Sequence, residues 1–95
     1  MIYQEFISSL STSEPPSELN DALKALWYDG KEDWETAHNM AQVNNSPTNC
    51  WIHAYLHRKE GDSWNAQYWY TRAGKKMPQV SLKEEWEQIV KALLS

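Results

Sequence analysis

Two stretches of this chain, "ALKALWYDGKEDWETAHNMA" and "WIHAYLHRKEGDSWNAQYWYTRA", each read as helix, glycine, helix. Gly30 and Gly61 are 31 residues apart, and Ala37 and Ala66 are 29 apart. A near-constant offset of about thirty residues is the mark of stacked helical hairpins, in which each unit buries its apolar face against the next. Small residues (Ala37, Ala54, Ala66, Ala73) stand where two helices would cross closely, and aromatic residues fill the wider gaps.

The flanks are also helical in period. Ile2, Tyr3, Phe6, Ile7 and Leu10 share one stripe of a short N-terminal helix, which "STSEPPS" ends. Ser17 is placed to cap a helix carrying Leu19, Ala22, Leu23, Leu26 and Trp27, closed by Gly30. Asp33 caps the next, with Trp34, Ala37, Met40 and Ala41 inward, until "NNSP" stops it. Thr48 or Asn49 opens a third, through Trp51, Ala54 and Tyr55 to Lys59. Asp62 or Ser63 starts a fourth with Ala66, Trp69, Tyr70 and Ala73 inward, and Ser81 a last with Leu82, Trp86, Ile89 and Leu93. No β pattern competes. The expectation is one all-α domain over residues 1–95. Residues 1–17 form an N-terminal helix and Pro/Ser linker, 18–46 and 47–78 two hairpins, and 79–95 a C-terminal capping helix.

A chain of 95 residues holds one core, and eleven Trp and Tyr side chains let a small core be adequate. One cysteine excludes an internal disulfide, and "MIYQEFISSL" lacks the basic start and long apolar run of a signal peptide. No stretch approaches a membrane span, so a cytoplasmic protein is expected. A net charge of −4 argues against general nucleic-acid binding. The charge is uneven: residues 1–35 sum to −6 and residues 58–76 to +3. The two regions could meet in a homodimer.

The second unit resembles a tetratricopeptide repeat. Ala54 falls at the small position of the first helix, Gly61–Asp62 at the turn, and Ala66, Tyr70 and Ala73 at second-helix packing positions, with Pro78 just beyond. Residues 22–76 also resemble a family of short, functionally uncharacterised microbial proteins, which implies a fold and no activity. The resemblance implies an αα-superhelix whose first helices line a concave groove. Lys24, Trp27 and Tyr28, beside Asn20, would face it from the first unit, and Trp51, Tyr55, Arg58 and Lys59 from the second. An aromatic and basic lining suits a protein or peptide with acidic or terminal carboxylate groups. The competing arrangement puts a flanking helix in the groove and turns these aromatics into core. Asn65, Tyr68 and Arg72 form a second stripe on the fourth helix, either a surface network or an extension of the binding face.

Cys50, His53 and His57 lie at i, i+3 and i+7 on one helix face, with His38 on the helix before. Thiolate and imidazole together are zinc ligands, whereas buried histidines also serve as hydrogen-bonding core residues. Cys50 and His53 do not by their spacing align a nucleophile, base and orienting group. No glycine-rich phosphate loop follows a strand. The expectation is therefore a non-catalytic binding or scaffold module with no cofactor. The alternative is a metal-binding or enzymatic site at His38, Cys50, His53 and His57.

Overall fold

A computed structural model describes residues 1–94. Six helices follow in order: α1 (Tyr3–Ser9), α2 (Asp21–Gly30), α3 (Trp34–Ala41), α4 (Pro47–Lys59), α5 (Ser63–Arg72) and α6 (Leu82–Leu94). Among the described residues there is no strand, and no helix is long and apolar enough to cross a membrane.

Helix starts are set by short polar side chains that accept otherwise unpaired amides. Asn20 accepts from the Leu23 amide at 2.9 Å, Asp33 from Thr36 at 3.2 Å, Asp62 from Asn65 at 3.2 Å and Ser81 from Glu84 at 3.1 Å. Two starts differ from expectation. Asn20, not Ser17, caps α2, because the turn after Pro16 delays the helix while still burying Leu19. Ser46, not Thr48 or Asn49, caps α4, because Pro47 has no amide to lose and suits the first helical position.

The repeat is clearer in the structure than in the sequence, and its alignment shifts. The α2–α3 and α4–α5 connections each hold three residues and close alike: the Asp33 amide donates to the Tyr28 carbonyl and the Asp62 amide to the His57 carbonyl, both at 2.9 Å. The residue in the left-handed region is Gly61 (φ 86°) in the second turn and Glu32 (φ 62°) in the first. The counterpart of Gly61 is thus Glu32, not Gly30, and the offset is 29 residues throughout. Gly30 has another task. It ends α2 where a Cβ would stand 3.0 Å from the Leu10 side chain and 3.1 Å from the Trp86 ring.

α2 packs chiefly on α3, and α4 chiefly on α5. α6 does not cover an open end as expected; it lies against both α2 and α4, and α1 packs on it. Its stripe of Trp86, Ile89 and Val90 joins Phe6, Leu26, Trp27, Ile52, Tyr55 and Leu56 in the main core. The Trp86 indole donates to the Leu26 carbonyl at 3.0 Å, and the Trp27 indole to Ser9 Oγ at 3.0 Å. Burial of this kind stabilises at about 25 cal/mol per Å² of apolar surface. α6 therefore takes the place a partner would need on the inner helices.

Two buried carboxylates join the elements. Glu85 (1% exposed) accepts from the Tyr70 hydroxyl at 2.6 Å, Arg58 at 2.8 Å and the Trp51 indole at 3.2 Å. Asp29 (2% exposed) accepts from the Tyr55 hydroxyl and the Lys59 ammonium, each at 2.9 Å. Burial, with the adjoining carboxylate, pushes both tyrosine hydroxyls far above their ordinary range, so they remain neutral donors.

Two consequences are measurable. Glu85→Gln presents amide hydrogens to donors and strands the Arg58 charge. It should cost about 3 kcal/mol, lowering Tm by roughly 15 °C, as read by thermal unfolding. Glu32→Gly relieves a left-handed non-glycine residue. It should stabilise by about 1 kcal/mol in urea unfolding, whereas Gly61→Glu should do the reverse.

Candidate functional site

Of the seven residues expected to line a groove, two are buried and five are half-buried. Trp27 and Tyr55 are buried, so neither is available to a partner as expected. Arg58 is held by Glu85 and the Val80 carbonyl, and Lys59 by Asp29 and Glu32. Tyr28 is half-buried with its ring edge-on to Trp27, and Lys24 is half-buried on the same helix. Trp51 is half-buried beneath the Lys75 ammonium, 4.0 Å from its ring centre. Tyr55 and Lys59 reach the side of a cleft that α1, α2 and α6 also line, but both are already paired with Asp29. The long-range carboxylates that claim these groups are invisible to helical periodicity.

The side of α4 that meets α3 and Trp69 of α5 is different. His53 and His57 project toward His38 of α3, with ring centres 4.6, 4.8 and 5.2 Å apart in the three pairs. His38 Nε2 and His53 Nε2 are 2.9 Å apart, one tautomer donating to the other. One ring nitrogen from each of the three histidines falls within a single 4.8 Å group. Aromatic plates hold the cluster at both ends: Trp34 stacks on His38 at 4.8 Å and Trp69 on His53 at 4.0 Å. Trp34 is itself fixed by its indole, which donates to the Leu56 carbonyl at 2.8 Å. His57 Nδ1 sits 2.6 Å from the Glu60 carboxylate, which leaves its Nε2 available.

Burial first, then the neighbouring imidazoles, lowers His53 from its ordinary 6.5 to about 4. Burial and His57 lower His38 as well. Both rings are neutral at pH 7 and offer lone pairs. Cys50 does not join them. Its thiol is buried, 3.5 Å from the Asn45 carbonyl at the start of α4, so the expected four-ligand set is three histidines. A shared helix face was not sufficient, because the Cys50 thiol is turned to the Asn45 carbonyl instead of the imidazoles.

A third feature was only partly anticipated. Trp64 (76% exposed) and Tyr68 (44% exposed) stack at 6.3 Å on the outer face of α5. Arg72 donates to the Tyr68 hydroxyl at 3.0 Å and lies 5.3 Å from the Trp69 ring centre. Gln67 and Thr71 complete the rim of a shallow depression there. Asn65, expected on this stripe, instead binds Asp62 at 2.6 Å and belongs to the turn. The i, i+4, i+8 spacing of Trp64, Tyr68 and Arg72 was the available signal.

The lowered imidazoles make stability depend on pH. An imidazole whose folded pKa lies below its unfolded one takes up its proton preferentially in the unfolded chain. Its contribution is complete above about pH 6.5 and is lost as pH falls toward 4. In metal-free buffer, urea unfolding should lose about 3 kcal/mol over that window on account of His53. His53→Gln should flatten the slope between pH 6.5 and 5, where carboxylates contribute little; an unchanged slope would refute the assignment. No protein-family profile, no curated protein and no solved structure matches this chain.

Proposed function

We propose that this protein is a small non-catalytic, cytoplasmic binding module of tetratricopeptide-like hairpins that recognises an acidic protein or peptide segment through the outer face of α5. The carrying observation is the stacked, exposed Trp64–Tyr68 pair with the Arg72 guanidinium on the Tyr68 hydroxyl. Aromatic side chains supply large rigid area at little entropic cost, and arginine grips carboxylates in bidentate fashion; these residue types dominate binding hot spots. Arg72 makes this face locally cationic within a chain of net charge −4. Charge complementarity therefore favours a segment bearing carboxylates beside apolar side chains. The 29-residue identity of the two turns supports the repeat reading. The satisfied, internal Asp29 and Glu85 networks support structural rather than catalytic roles for those carboxylates.

The test is selection from a displayed peptide library against the parent chain and a folded Trp64→Ala/Tyr68→Ala/Arg72→Ala variant. Selected peptides should be acidic and apolar, weaken in 0.5 M salt (as screening of about 10 Å at 0.1 M shortens further), and lose at least ~30-fold in affinity for the variant. Peptides without acidic enrichment, or equal binding by the variant, would overturn the reading. Sedimentation of the parent alone tests the other occupant: self-association abolished by the same substitutions would make the partner a second copy of this chain.

A further inference from the structure

We propose that His38, His53 and His57 form a three-nitrogen binding site for a divalent transition metal of the zinc, copper or nickel type. The site is independent of the α5 recognition face, although Trp69 borders both.

Three geometrical facts carry it. First, one nitrogen from each ring lies within the same 4.8 Å group, across two helices. A tetrahedral ion with nitrogen bonds of ~2.0–2.1 Å holds its ligands about 3.3 Å apart. The 2.9 Å separation of the His38 and His53 nitrogens needs to open by only a few tenths of an ångström, with an ion replacing their mutual hydrogen bond. Second, the rings are constrained before anything binds. Trp34 and Trp69 stack on two of them, and the Leu56 carbonyl fixes Trp34. Third, Glu60 occupies Nδ1 of His57 at 2.6 Å. A carboxylate on the far nitrogen is the usual support of a metal-bound histidine: it selects the tautomer, raises the basicity of the other nitrogen and offsets part of the cation's charge.

The donor set also limits the ion. Neutral imidazoles suit zinc, copper, nickel and cobalt, whereas magnesium and calcium require oxygen ligands. Desolvation alone gives no reason to gather three imidazoles nitrogen to nitrogen. A hydrogen-bonded pair satisfies two of them, and His57 already has Glu60.

The test uses the full chain, cleared with chelator, titrated with zinc against a chromophoric competitor and with cobalt for its visible ligand-field bands. One equivalent should bind with Kd below ~10 µM and raise Tm in proportion to the logarithm of free metal. His38→Gln and His57→Gln alter half-buried positions and should keep the fold by circular dichroism. Each should weaken zinc at least ~30-fold, and Glu60→Gln about tenfold, the range found for such supporting carboxylates. Magnesium should neither bind nor compete. Absence of saturable 1:1 binding below 100 µM, or equal affinity in the His38→Gln and His57→Gln variants, would overturn the site and leave a hydrogen-bonded imidazole cluster. Because these substitutions leave Trp64, Tyr68 and Arg72 intact, peptide binding and metal binding fail or succeed separately.

Discussion

The carboxylate of Glu85 is the constraint around which the rest of this protein is arranged. It is withdrawn from water on α6 and receives a hydroxyl from α5 and both an indole and a guanidinium from α4. An ionised group so placed is tolerable only with every partner present, which couples the position of α6 to both helices of the second hairpin. Asp29 does the same between α2 and α4. Among the described residues no buried side-chain polar atom lacks a partner. These two centres consume Trp51, Tyr55, Arg58 and Lys59, so α4 spends its aromatic and basic inner side on holding the fold. What it has left is the opposite side, and there the sequence supplies imidazoles.

Much of the architecture was legible beforehand, for a physical reason. Helical period, caps and turn residues are local, and the all-α class, the two hairpins and the apolar stripe of α6 follow from them. The misplacements are local as well. Asn20 and Ser46 outcompete neighbours of equal capping ability because of nearby prolines, and Gly30 was read as a left-handed terminus when it is a contact point for Leu10 and Trp86. A glycine has two uses, and only the packed structure says which one applies.

The candidate site was less legible because its decisive contacts are long-range. Periodicity states that Tyr55, Arg58 and Lys59 share a side of α4; it does not state that α6 and α2 carry carboxylates to meet them 27 and 26–30 residues away. The histidines fared better, since i and i+4 on α4 place His53 and His57 together whatever the tertiary fold. The same rule also puts Cys50 on that face, but its thiol is turned to the Asn45 carbonyl, a choice that spacing does not state. Trp64 attracted no notice on its own, since among six tryptophans its exposure has no signature in sequence.

The 29-residue offset carries a consequence for motion. Shifting His38 by one unit lands on Gln67, and shifting His53 and His57 back lands on Lys24 and Tyr28. The imidazoles thus belong to no repeat; they mark the seam where one hairpin meets the other, with the Trp34 indole crossing to Leu56 alongside them. Any rocking of the first hairpin against the second carries one imidazole away from the other two. The gap between His38 and His53 is consequently a gauge of hairpin spacing, and whatever tightens or loosens that gap sets how far the two halves move as one body.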